Sequence, residues 1–151
     1  TFVAYVYRGY WIDIGTPDKY VQVHRDIMDQ RFKAEPFGNQ RRGAKYVAAG
    51  ARVEDGAALE GPCFIDEGCV IKGGARIRPY SVIGRHTVVE EGAVISNAII
   101  WPDCRISRDA VVQGAILGRH CHIGRSAAIS GGVILGDKSA VTDFSRLTAG
   151  L

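Results

Sequence analysis

"ARVEDGAALEGPCFIDEGCVIKGGARIRPYSVIGRHTVVEEGAVI", residues 51–95, carries an aliphatic residue at every sixth position: Val53, Leu59, Ile65, Ile71, Ile77, Ile83, Val89 and Ile95. Four residues after each of the first seven stands a small one: Ala57, Cys63, Cys69, Ala75, Ser81, Thr87 and Ala93. After Ile95 the register shortens by one and restarts at Ile100, Ile106 and Val112; it shortens again and continues through Leu117, Ile123, Ile129, Leu135 and Val141. Side chains alternate faces along a strand, so each aliphatic residue and the small residue two before it point the same way, inward. The positions between them hold Gly, Asp, Glu, Arg and Asn, which suit exposed corners. A sustained short period is the mark of a repeat architecture. Three hexads close one triangular coil, and coils stack at about 4.8 Å. Sixteen such positions predict a mainly β solenoid of about five coils over residues 49–151. Both register breaks fall at the same corner, with Ile95 and Val112 on one side and Ile100 and Leu117 on the next.

Stacking also predicts columns. One inward column reads Cys69, Thr87, Cys104, Cys121, Ser139; an outward corner column reads Gly68, His86, Asp103, His120, Lys138. Trp101 falls among Asp66, Gly84, Gly118 and Gly136, so no large neighbour is expected to shield it. With Pro102 stiffening the corner and Ile99 expected near the surface, Trp101 is the candidate interface anchor, because one rigid aromatic buries a large area.

Upstream the character differs. Residues 2–14, "FVAYVYRGYWIDI", are β-branched and aromatic and predict one or two strands. Thr16 suits an N-cap, Pro17 the first helical position and Asp18 the first turn, which predicts a helix over 17–32. Residues 34–48 read as a linker, which sets three regions: 1–33, 34–48 and 49–151. A hydrophobic fraction of 46%, a charged fraction of 23% and a net charge of +3 fit a globular chain and give no reason to expect nucleic acid or a membrane surface as partner. No apolar run reaches the roughly 18 residues that span a bilayer. Cys63, Cys69, Cys104 and Cys121 form no C-x-x-C pair and read as buried free thiols, in keeping with a cytoplasmic setting.

"GYWIDIGTPDKYVQVHRDI", residues 9–27, resembles the end of the catalytic domain of sugar-phosphate nucleotidyltransferases. Followed by hexapeptide repeats containing "SNAIIWPDCRI" (96–106), it looks most like the mannose-1-phosphate guanylyltransferases. The resemblance implies a left-handed parallel β-helix preceded by a strand-helix segment of an α/β catalytic domain. It also implies transfer of a nucleotidyl group from a nucleoside triphosphate to a sugar 1-phosphate, in a homo-oligomer. The Asp of the W-x-D-x-G-T segment, Asp13 here, is implied as a ligand of Mg²⁺. A hard divalent ion takes oxygen ligands and often only one or two protein carboxylates beside phosphates and water. The family's G-x-G-T-R loop is absent, so no catalytic or nucleotide-binding residue is assigned, the chain reads as part of a longer one, and alone it is expected to be inactive. The alternative is a hexapeptide acyltransferase using His86, His120 or His122 as general base. A third reading is a zinc enzyme built on His86 and His120, disfavoured because those two stand two coils apart. The bland reading of these histidines and His24 is solvated surface.

Overall fold

The hexads fold into three parallel sheets wound as one solenoid in the computed structural model, which describes residues 1–32, 34 and 39–150. Each sheet takes one strand from every coil. The first face holds Lys45–Ala48, Cys63–Ile65, Ser81–Ile83, Ile99–Ile100, Ile116–Leu117 and Ile134–Leu135. The second face runs from Arg52–Val53 to Ala140–Val141 and the third from Ala58–Leu59 to Arg146–Thr148. Six coils result, one more than expected. The extra hexads end at Val47, six before Val53, and at Leu147, six after Val141; both are half-buried and pack against the core.

Every inward aliphatic position from Ile65 to Ile129 is at most 1% exposed, so the predicted register holds through both breaks. Ile65 pairs with Ile83, Ile83 with Ile100, Ile100 with Leu117 and Leu117 with Leu135, steps of 18, 17, 17 and 18 residues. The missing residue is taken out at one corner, between the third face and the first. Asn97 (φ 48°) turns that corner in one short coil and Gly114 (φ 60°) in the next. Both types tolerate the left-handed region, which lets a corner lose a residue without disturbing the flanking strands.

Residues 39–48, expected within a linker, instead form an antiparallel hairpin whose second strand joins the first face. The repeat therefore begins earlier, because Val47 already supplies an inward aliphatic side chain in register. Residue 33, and residues 35–38 of that stretch, lie outside the described residues.

The chain divides into two compact units, Thr1–Glu35 and Pro36–Leu151. In the first, helix α1 (Pro17–Met28) is capped as expected: Thr16 Oγ1 accepts from the Lys19 N–H at 3.3 Å, with Pro17 next. It stops four residues short of the expected end. Gln30 adopts φ 62°, and the N–H groups of Gln30 and Arg31 donate to Ile27 O and Asp26 O, closing the helix in a Schellman turn. Residues 2–14 form no strand. Strand structure is a ladder between neighbours, and no described segment pairs with this run; Phe2, Val3, Tyr5 and Trp11 stand exposed.

The central column makes a stability prediction. Ile100 is 1% exposed between Ile83 and Leu117, so Ile100→Asp buries an uncompensated charge. A loss of about 4 kcal/mol or more, or failure to fold, is expected in urea denaturation, whereas Ile100→Val should cost about 1 kcal/mol.

Candidate functional site

In the first unit, Asp26 rather than Asp13 sits at the centre of the polar contacts. Tyr10 Oη donates to Asp26 Oδ2 at 2.6 Å and Gln22 Nε2 to Oδ1 at 2.8 Å. The Tyr10 hydrogen bond, aided by Gln22 and Arg31, holds the Asp26 carboxyl below its usual range against the opposing effect of desolvation. These bonds tie the run before the helix to α1, and Tyr10 also stacks on Phe32 at 5.0 Å. Asp13 is exposed, with no hydrogen bond or ion pair among the described residues. Gly15 stands beside it: a Cβ there would lie 3.6 Å from Asp13 Oδ1. Asp13 is thus a single free carboxylate ahead of the helix, and no group of three His, Cys, Asp or Glu placed to hold a metal occurs among the described residues. One carboxylate suits Mg²⁺ as a contributor beside phosphate oxygens and cannot by itself retain the ion.

The solenoid's corners give the predicted columns physical form. Gly68, His86, Asp103, His120 and Lys138 all have φ between 57° and 69°. Each of the last four turns its N–H onto the carbonyl of the preceding coil's corner, as from His86 to Glu67 O at 3.0 Å and from Asp103 to Arg85 O at 2.9 Å. Asp103 lies between the two histidines: His86 Nδ1 is 3.4 Å from Oδ1, and His120 Nε2 is 4.0 Å from Oδ2. The carboxylate faces each imidazole in turn, which does not gather the two rings around one point. His24 departs from the surface reading: it is half-buried, its Nδ1–H donates to Tyr20 O at 2.8 Å and its ring meets Tyr20 edge-on.

The inward column behind this corner does more than fill space. Cys69 Sγ lies 3.1 Å from Gly84 O, Cys104 Sγ 3.1 Å from Gly118 O and Cys121 Sγ 3.2 Å from Gly136 O. The thiol of one coil donates to a corner carbonyl of the next. Thr87 Oγ1 does the same toward Trp101 O and also accepts the Cys104 N–H. All four cysteines are buried, as expected for core thiols.

Trp101 lies at a corner, 37% exposed, but it is not unshielded. The Arg119 guanidinium of the next coil lies 5.6 Å from its ring centroid. The glycines around Trp101 leave space, and a long cationic side chain uses it. Ile99, expected near the surface, is 4% exposed; it pairs with Val82 and Ile116 on the first face. A contact not anticipated is Ser107 Oγ to His122 Nε2, 3.0 Å, on the second face. Its trace in the sequence is diagonal: His122 stacks on Arg105, two residues before Ser107. A cavity of about 660 Å³ lies at the first coil, where Val47, Val53 and Leu59 are incompletely covered.

The solenoid matches the family model of the GMPPB C-terminal domain over residues 46–149. The chain belongs to this family. Similar curated proteins include the glucose-1-phosphate adenylyltransferases of Bacillus cereus (strain Q1), 28% identical over 116 residues, and of Bacillus anthracis, 27% identical over the same length. Each alignment covers 71% of this chain and 28% of the relative, so the chain spans under a third of those proteins. Among solved structures, the acetyltransferase domain of PglB from Neisseria gonorrhoeae FA1090 in complex with acetyl coenzyme A aligns with a TM-score of 0.34 and 14% identity, covering 66% of this chain and 54% of that one. That likeness is too weak to bear on function.

The thiol column yields a second prediction. Burial pushes the Cys69 and Cys63 thiols from their ordinary value of 9.0 up to about 11, and Cys104 to about 12. A thiol whose folded pKa is raised stays protonated in the native state after the unfolded chain has begun to ionise. Its contribution to stability is therefore full below about pH 9 and is lost as pH rises toward 11–12. Native protein should resist iodoacetamide at pH 8 and take up four labels in denaturant, and Cys104→Ala should flatten the fall in Tm above pH 9. Rapid labelling of the folded protein, or equal pH slopes, would contradict this assignment.

Proposed function

We propose that this chain is the C-terminal part of a sugar-1-phosphate nucleotidyltransferase, with mannose 1-phosphate and GTP as the substrates of the whole protein. The family match over residues 46–149 carries this reading for the solenoid, and the W-x-D-x-G-T segment with its capped helix, which lies ahead of the matched residues, supports it separately. The resemblance of the adenylyltransferases supports the nucleotidyl-transfer class and leaves the base and sugar to the guanylyltransferase-like motifs. The exposed aromatic and aliphatic run at residues 2–14 fits one wall of a larger α/β domain, since side chains such as Phe2 and Tyr5 gain by burial against neighbouring strands.

In this reading Asp13 offers one carboxylate to Mg²⁺ at the edge of the catalytic domain. Asp13 would help hold the ion, which would supply charge neutralisation to the phosphates during nucleotidyl transfer. The chain's own contribution is positional. The Tyr10–Asp26 and Gln22–Asp26 bonds fix the approach to α1, and the Thr16 cap sets where Asp13 stands relative to the first turn.

The solenoid serves assembly. Its first face carries only apolar residues at the outward positions, and of these Phe64, Val82, Ile116 and Ile134 keep exposed area while Tyr46 and Ile99 are buried, whereas the outward positions of the other two faces include arginines. Trp101 is the proposed subunit anchor. It combines partial exposure with a ring held in place by Arg119.

The isolated chain should release no pyrophosphate from GTP and mannose 1-phosphate with Mg²⁺. In the protein extended by its upstream sequence, Asp13→Asn should lower kcat about a hundredfold or more and weaken the Mg²⁺ dependence, with Tm unchanged. Turnover by the isolated chain, or full activity of the variant, would overturn the assignment. For assembly, Trp101→Ala should dissociate at about tenfold higher protein concentration in sedimentation, its circular dichroism unchanged. Coincident association curves would remove Trp101 from the interface.

A further inference from the structure

On the second face, coils three to six line an open groove of about 440 Å³ that the nucleotidyl-transfer reading does not use. Strand pairing sets Arg105 beside His122 on its outer surface, and Ile106 beside Ile123 behind them. Two residues after each of those isoleucines come Arg108 and Arg125, so the corner repeats a guanidinium from one coil to the next, a rise of about 4.8 Å.

Two carboxylates brace the ends. Glu90 accepts Arg105 Nε–H on Oε1 at 2.9 Å and the Arg108 backbone N–H on Oε2 at 3.0 Å. Burial acts to raise the Glu90 carboxyl, and the bonds from Arg105 and Arg108 outweigh it and hold Glu90 below its usual range. Asp143 accepts the Arg125 backbone N–H at 2.8 Å, with the Arg125 guanidinium 3.7 Å away. Between these braces the Arg108 guanidinium has no carboxylate partner among the described residues. Ser107, 8% exposed, and His122 lie beside it with their polar atoms 3.0 Å apart. The groove thus holds three guanidinium groups against two carboxylates, with a hydroxyl and an imidazole at its wall.

We infer that this groove binds a phosphate-bearing anion, with Arg108 and Arg125 as the main donors and Ser107 and His122 hydrogen-bonding a further oxygen. Guanidinium forks suit tetrahedral phosphate oxygens, and an unpaired cation between two braced ones is the place where an anion gains most. The groove is built entirely from the solenoid, so this site stands whether or not the proposed transferase activity is correct.

The test is calorimetry on the 151-residue chain in about 20 mM salt, where exposed charges are weakly screened, with inorganic phosphate, pyrophosphate and ADP as separate probes. Submillimolar binding of at least one probe is expected. Arg108→Ala and Arg125→Ala should each weaken it about tenfold, whereas Lys138→Ala, which removes an equal charge from another corner, should not. Preference for pyrophosphate over ADP would indicate an inorganic ligand, and the reverse a nucleotide. In parallel, the ring resonances of His122 should shift on titration and those of His86 should stay. Absence of binding by all three probes, equal loss in Arg108→Ala and Lys138→Ala, or shifts of His86 as large as those of His122 would overturn the proposal.

Discussion

The interior of the prism admits one arrangement: three branched aliphatic side chains per coil, separated by small ones, each stacked on its equivalent in the next coil. From Ile65 to Ile129 these positions are sealed from solvent. Full burial of one such side chain is worth about 1.5–3 kcal/mol, and no coil can gain it alone, because the top and bottom of each inward layer are covered only by its neighbours. The stack therefore behaves as a column whose register cannot slip locally. That explains why a missing residue is absorbed at a corner by Asn97 and again by Gly114, while the strands on both sides stay paired without a bulge.

Close stacking also brings corner carbonyls within reach of the inward side chains of the preceding coil. An unsatisfied buried carbonyl is costly. The column Cys69, Thr87, Cys104, Cys121 adds S–H and O–H donors to these carbonyls, two of which (Gly84 O and Gly136 O) also accept a backbone N–H, at positions where alanine would fit by volume. Alanine does occupy the equivalent positions on another face, at Ala75, Ala93, Ala110 and Ala127, all buried. The choice of cysteine is thus local chemistry between one coil and the next.

The fold was legible because its defining interaction repeats at a fixed interval. Spacing alone located the inward residues, the shortened corner and the column containing Asp103 between two histidines. Features that depend on a partner outside the repeat were harder to read. The run at residues 2–14 has strand composition, yet composition supplies no neighbouring strand, and the segment stays irregular. The helix ended early because Gln30, an ordinary helix former, is held in the left-handed region by the Schellman bonds. The two terminal hexads, ending at Val47 and Leu147, escaped notice because their flanking residues, such as Lys45 and Arg146, belong to the edges of the pattern. For the candidate site, Asp13 was legible only through its motif, and its geometry is that of one exposed carboxylate. The Arg119 cover on Trp101 and the Ser107–His122 contact run diagonally between coils, so no single column in the sequence displays them.

Because the inward half of every strand is committed to packing, only outward positions can differ between faces. The first face spends all six on apolar side chains, which suits a surface covered by protein. The second sets Arg105 next to His122 and follows them with Arg108 and Arg125 at the corner, which suits a surface meeting a small charged molecule. A solenoid keeps such surfaces independent: a substitution at one outward column leaves the inward column, and hence the opposite faces, in place. Contacts of different chemistry can then be borne by one rigid body, with the spacing between them set by the coil rise.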